Sequence, residues 1–204
     1  NVGTQSVTVQ AEDTAGATDT QTFTITISNT NDAPTIDSTA VTAVDEDSSY
    51  LYTVTASDVD VGDNVALSAT IGTSSAWLTF EPSTGKLTGT PANGDVGTHS
   101  VTVTATDDDG ATGTQTFTIT VANTNDAPTI SSTAVTAVDE DSLYTYTVTG
   151  DDVDAGDGMT LSVTSTLPSW LSFDATTGVL SGTPLNANVG TQSVTVQAED
   201  TAGA

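Results

Sequence analysis

Along most of the chain an apolar side chain occupies every second position, with threonine or another small polar residue between. Phe23, Ile25 and Ile27 show the pattern, as do Val101, Val103 and Ala105, and again Phe117, Ile119 and Val121. A period of two sends alternate side chains to opposite faces of a strand, so these stretches predict half-buried β-strands. No segment repeats at helical period. Between residues 31 and 124 the pattern predicts seven strands, near 41–44, 50–56, 66–70, 77–80, 86–88, 100–106 and 115–121. In the second of these, Tyr50, Tyr52, Val54 and Ala56 share one face. The last two form a hairpin across Asp107, Asp108, Asp109 and Gly110, residue types that favour a tight reversal. Threonine fills the outward positions because its β-branched side chain fits a pleated, half-wet surface. The elements predict an all-β protein of antiparallel Greek-key β-sandwiches.

The pattern repeats. Asn29-Thr30-Asn31-Asp32-Ala33-Pro34 returns unchanged as Asn123-Thr124-Asn125-Asp126-Ala127-Pro128, 94 positions on, each time directly after a period-two strand. Its proline biases the preceding residue toward extended backbone, so the stretch reads as a linker between domains. Residues 1–17 are identical to residues 188–204, a separation of 187, and an intermediate copy starts at Asp95. Self-similarity at fixed spacing marks a repeat array. The division it predicts is 1–30 as the end of one repeat, 31–124 as a complete repeat, and 125–204 as a repeat lacking its last strand. The window is expected to be an internal piece of a longer chain. Its two ends are complementary halves of one domain, to be joined either by continuation of the parent or by a head-to-tail copy.

Charge then narrows the partners. The 27 acidic residues face a single base, Lys86, for a formal net charge of −26. Such a chain repels nucleic acid and anionic lipid surfaces, both of which are bound through Lys and Arg. No apolar run approaches the ~20 residues of a membrane helix, so no direct membrane insertion is expected. Cysteine is absent, which excludes disulfides and thiolate metal sites. The single histidine, His99, has no basic neighbour, and the paired carboxylates recur in the turns of every repeat; no enzyme is expected. Trp77 and Trp170, each beside Leu and Phe, are expected in core or cap packing. The Asn and Asp of the linkers are short, hard oxygen donors of the kind calcium takes, at a place where acidic loops of both neighbours could converge.

The linker resembles the Asp-x-Asn-Asp-Asn-x-Pro type motif of cadherins, and Asp58-Val59-Asp60 and Asp152-Val153-Asp154 resemble the Asp-x-Asp of cadherin repeats. Trp77-Leu78-x-Phe80 through Thr84-Gly85-x-Leu87-x-Gly89-Thr90-Pro91 looks like the dystroglycan-type cadherin-like and Putative-Ig repeats of large bacterial surface adhesins. It recurs as Trp170-Leu171-Ser172-Phe173 through Thr177-Gly178-Val179-Leu180-Ser181-Gly182-Thr183-Pro184, and the resemblance covers essentially the whole chain. It implies calcium (Ca2+) at each joint. Around the second linker it would use Glu46, Asp95, Asn123, Asn125, Asp126, Asp152, Asp154 and Asp200. Around the first linker it would use Asn29, Asn31, Asp32, Asp58, Asp60 and Asp107. Asn29 and Asn123 stand where the family's first linker carboxylate would be, and the family's Asp-Arg-Glu loop is reduced to Asn93-x-Asp95 and Asn186-x-Asn188. Fewer charges imply fewer or weaker ions.

The resemblance implies an extracellular, cell-surface spacer or adhesion repeat in the shaft of a bacterial adhesin or fibre. Its partners would be neighbouring repeats of the same chain or head-to-tail copies. Two other readings keep the fold: a polysaccharide-binding module with carbohydrate as partner, and a filament subunit completed by strand exchange.

Overall fold

The computed structural model describes residues 2–204. The chain opens with a hairpin of β1 (Gly3–Glu12) and β2 (Thr18–Ile27). A first sandwich follows: β3 (Thr35–Ile36), β4 (Ala43–Asp45), β5 (Tyr50–Thr53), β6 (Ala56–Ser57), β7 (Ala66–Ile71), β8 (Leu78–Glu81), β9 (Lys86–Gly89), β10 (Gly97–Thr106) and β11 (Thr112–Ala122). The second comprises β12 (Thr129–Ile130), β13 (Tyr144–Thr147), β14 (Gly150–Asp151), β15 (Thr160–Val163), β16 (Leu171–Asp174), β17 (Val179–Gly182) and β18 (Val196–Glu199). No helix among the described residues is long and apolar enough to cross a membrane.

In the first sandwich a four-stranded sheet ordered β4-β11-β10-β7 opposes a three-stranded sheet ordered β5-β9-β8, and β3 pairs with β6. The inner faces follow the period-two pattern: Val101, Val103, Ala105 and Ile119 are fully buried, against Tyr50, Tyr52, Val54 and Leu87. Tyr52 meets Phe117 edge-on at a centroid distance of 5.5 Å. Trp77 is half-buried on the same core, edge-on to Tyr50 at 5.8 Å, as expected of a packing aromatic. The second sandwich repeats the three-stranded sheet as β13-β17-β16, over a smaller core of Tyr146, Val148, Leu171 and Leu180.

The structure departs from the sequence pattern at three places. The strand expected over 50–56 is split, β5 lying in one sheet and β6 in another, because Val54 N–H turns to the Gly85 carbonyl while the Thr55 carbonyl takes Asp37 N–H. The two-residue β3 is too short to leave a periodic signal. Phe23, Ile25 and Ile27 are 43, 48 and 42% exposed, because among the described residues β1 and β2 pair with each other and no other sheet covers their apolar face.

By compactness the chain divides into two units. One comprises residues 1–44, 48–90 and 97–120; the other comprises 45–47, 91–96 and 121–204. The second unit thus takes in the loop bearing Glu46, the loop bearing Asn93 and the whole of the second linker.

Candidate functional site: two acidic loop clusters

Glu46 is placed by backbone. Its N–H donates to the Ala122 carbonyl at 2.9 Å, and the N–H of Asp47 donates to the Pro91 carbonyl at 2.8 Å. Asp47 has a φ of 59°, a left-handed conformation that aspartate tolerates better than most residues. The reversal sends the Glu46 side chain inward, where it is 1% exposed. Its Oε1 accepts the N–H of Thr124 at 2.6 Å, tying the loop to the linker. Its Oε2 is buried with no hydrogen-bond partner.

The linker and the Asp-x-Asp turn meet the same place. Asp154 N–H donates to Asp152 Oδ1 at 2.8 Å, an Asx turn that orients both carboxylates. Asp154 Oδ2 then accepts the N–H of Asp126 at 2.8 Å. Asn93 donates its Nδ2 to Asp126 Oδ2 at 2.7 Å and to Asp154 Oδ1 at 3.3 Å. Carboxylate oxygens of Glu46, Asp126 and Asp154 all lie within 4.8 Å of one another, and Asp152 Oδ2 is buried without a partner. Beside them, Asn125 Nδ2 donates to Asp200 Oδ2 at 2.8 Å. Asp200 Oδ1 accepts the N–H groups of Ala202, Gly203 and Ala204. The Ala204 N–H, then the Asn125 amide, hold the Asp200 carboxyl below the usual carboxylate range.

The first linker builds a parallel arrangement. Asp60 N–H donates to Asp58 Oδ1 at 2.8 Å, and Asp60 Oδ2 accepts Asp32 N–H at 2.7 Å. Asn31 Nδ2 donates to Asp107 Oδ2 at 2.9 Å, and this bond is the chief cause holding Asp107 below the usual carboxylate range. Asp58, Asp60 and Asp63 each bring an oxygen within 4.8 Å of the others, and Asp58 Oδ2 is buried without a partner. Desolvation, then the charges of Asp109, Asp58, Asp60 and Asp108, push Asp63 above the usual range.

Seven of the fourteen residues singled out in the sequence are therefore gathered as Glu46, Asp126, Asp152 and Asp154 in one place and Asp32, Asp58 and Asp60 in the other, with Asn31 and Asp107, and Asn125 and Asp200, in adjoining hydrogen bonds. Asp95 instead accepts the N–H of Ala92 at 3.0 Å, closing a short 3-10 turn over Asn93–Asp95. Asn29 and Asn123 are exposed. Two contributors were not in the sequence-derived set. Asp63 follows Asp60 by three residues in an acidic turn, a spacing the Asp-x-Asp motif does not flag. Asn93 was visible only as the remnant of a more acidic loop.

Both clusters are all-oxygen donor sets. Two unit charges about 5 Å apart repel by roughly 3 kcal/mol at an effective dielectric of ~20, and three compound the effect. Converging carboxylates with orphaned buried oxygens suit a hard divalent cation better than they suit one another. The donor chemistry fits calcium.

Sandwiches of this topology, joined by Asn-Asp linkers against acidic loops, define the class of tandem cadherin-like and Ig-like repeats. The chain belongs to the family described as "Putative Ig domain", which it matches twice in tandem, over residues 33–122 and 127–204. No curated protein matches it in sequence. Among solved structures it is similar to human CDH23 EC21-23, at 18% identity and a TM-score of 0.60, covering 99% of this chain and 70% of that one. It is also similar to protocadherin gamma B2 extracellular cadherin domains 3-6, at 18% identity and a TM-score of 0.53, covering 98% of this chain and 56% of that one. It covers 37% of the protocadherin gammaB4 extracellular domain and 59% of the gammaB7 EC3-6 chain, so it spans about half the length of the protocadherin structures it matches. At such identities the likeness shows the fold alone.

Proposed function

We propose that the chain is a calcium-rigidified spacer: tandem sandwiches in the extracellular, cell-surface shaft of a bacterial adhesin or fibre, whose linkers are stiffened by bound cations. The observation that carries this reading is the buried, unpartnered Oε2 of Glu46 beside the converged carboxylates of Asp126 and Asp154. Glu46, Asp126, Asp152 and Asp154 would hold one calcium, and Asp58, Asp60 and Asp63, with Asp32 nearby, would hold another. The ion supplies charge neutralisation. The protein supplies a loop, a linker and a turn that are separate in sequence and share one ligand.

The reading is non-catalytic. Ser75 Oγ and His99 Nδ1 lie 2.9 Å apart, but both residues are buried and Trp77 packs edge-on against the imidazole, which supports a structural role for this pair.

Melting and solution scattering in chelator and in millimolar calcium test the reading. At ~10 to 100 times Kd each ion would add about 1.4 to 2.7 kcal/mol of stability. The double substitution Asp126→Ala with Asp154→Ala should abolish the second linker's share and leave hydrogen-exchange protection of both sandwich cores intact. Curves and profiles indifferent to calcium would refute it.

A further inference from the structure

Asn93 and Gly94 form the only Asn-Gly pair in the chain. They lie in the short 3-10 turn over Asn93–Asp95, between Ala92 and Val96. The Asn93 side chain is held in the second linker's acidic cluster, its Nδ2 donating to Asp126 Oδ2 at 2.7 Å and to Asp154 Oδ1 at 3.3 Å. Gly94 is exposed, and no atom beyond its chain neighbours lies within 4 Å of the position a Cβ would take. Its N–H donates to no acceptor among the described residues. A side-chain amide next to an unhindered, unbonded backbone nitrogen is the arrangement in which asparagine loses ammonia. Glycine favours the reaction because it has no Cβ and turns readily into the conformation that closes the ring.

The second sandwich supplies a matched comparison. Asn186–Asn188 form the same 3-10 turn, flanked by Leu185 at φ −107°, ψ 171° and Val189 at φ −58°, ψ 126°. The residues flanking the first turn, Ala92 and Val96, have φ −108°, ψ 175° and φ −58°, ψ 128°. Yet Ala187 stands where the first turn has Gly94. The turn therefore forms without glycine. What glycine adds at position 94 is an accessible nitrogen beside the Asn93 amide.

We propose that Asn93 is a site of spontaneous deamidation, and that its conversion strengthens cation binding at the second linker. The Gly94 nitrogen attacks Asn93 Cγ and gives up its proton, the Cγ–Nδ2 bond breaks, ammonia leaves, and a five-membered succinimide closes. Water then opens the ring at either carbonyl, giving aspartate or isoaspartate. Each product replaces a neutral amide with a carboxylate, and aspartate places it where the amide stood, beside Asp126 and Asp154. Without a cation the added charge raises repulsion within the cluster. With one it supplies a further charged oxygen ligand, and calcium affinity rises with the charge of its ligands. The effect on cation binding rests on the calcium reading above; the deamidation does not.

The whole chain is aged in chelator at mildly alkaline pH, and mass spectrometry of chymotryptic peptides follows the replacement of NH2 by OH at each asparagine. Asn93 converts at least ~10-fold faster than Asn186, a barrier about 1.4 kcal/mol lower. Gly94→Ala, which the open space and the Ala187 turn both accommodate, brings Asn93 to the rate of Asn186. An Asn93 that stays intact, or that converts as fast in the Gly94→Ala variant, overturns the proposal. Calcium titration of fresh, aged and Asn93→Asp chains reads the second step. Asn93→Asp binds calcium roughly 10-fold more tightly than the fresh chain, the aged chain moves toward it, and aged Gly94→Ala does not move. Conversion with no gain in affinity refutes the effect on cation binding. Conversion with calcium bound by none of the three refutes the calcium reading together with that effect, and retains the modification.

Discussion

Glu46 Oε1 accepts the backbone N–H of Thr124 at 2.6 Å, across 78 positions of sequence. A carboxylate from one loop thereby holds the start of the linker, and its second oxygen is left for the acidic cluster. The charge of Glu46 and its acceptor role are separable by mutation.

Glu46→Gln keeps an acceptor for Thr124 and removes the charge. Calcium-free protein should be unchanged or more stable by about 1 kcal/mol, from relief of repulsion with Asp126 and Asp154. The calcium-induced rise in Tm should shrink. Paired melting curves in chelator and in calcium check both signs.

Asn93 donates to Asp126 and Asp154 at once. Asn93→Asp replaces those donors with a further carboxylate, so without calcium it should destabilise by about 1 to 3 kcal/mol. With calcium the loss should be recovered and affinity should rise, because one more oxygen ligand is supplied. Calorimetric titration reads the affinity. An equal loss in both conditions would reduce Asn93 to a hydrogen-bond donor.

Gly89 and Gly182 sit where a strand passes a tryptophan carbonyl; a Cβ would drive into the backbone oxygen of Trp77 or Trp170. The obstacle is backbone, which cannot swing aside. Gly89→Ala should destabilise the first sandwich, and Gly182→Ala the second, by roughly 2 to 3 kcal/mol each. Urea unfolding of the two variants compares them.

Asp174 closes the turn between β16 and β17, its Oδ1 accepting Thr176 N–H at 2.9 Å and Thr177 N–H at 3.3 Å. The Thr176 N–H, then the Thr177 hydroxyl and N–H, hold its carboxyl below the usual range. A carboxyl whose pKa falls on folding adds stability that is present above its unfolded pKa and is lost as pH falls through the folded value. Asp174→Ala should therefore lower Tm at neutral pH. The difference from wild type should close in strong acid.

Much of the architecture was legible because it rests on local chemistry. The period of two in Val101, Val103 and Ala105 set their burial, since alternate side chains of a strand cannot share a face. The Asp107 to Gly110 turn and the Asp-x-Asp Asx turns use short-range hydrogen bonds that depend on a few adjacent residues. Asp63 and Asn93 were not among the expected ligands because their roles depend on which loops fold beside them. Nothing in their immediate neighbours encodes that.

The identical stretches divide local from tertiary control most sharply. Residues 40–48 and 134–142 share nine residues, yet Glu46 is buried and Glu140 exposed; among the described residues the first copy has a strand, β11, and a linker beside it, and the second does not. Residues 3–12 form one continuous strand against β2, while the same sequence at 190–199 keeps only β18, against β15. The sequence by itself determined which side chains alternate, where the chain turns, and that the loops would be acidic. The tertiary structure decided which of those segments are strands and which carboxylates meet, because a strand's N–H and C=O groups are satisfied by a neighbour distant in sequence, and a carboxylate cluster exists only where separate loops are brought together.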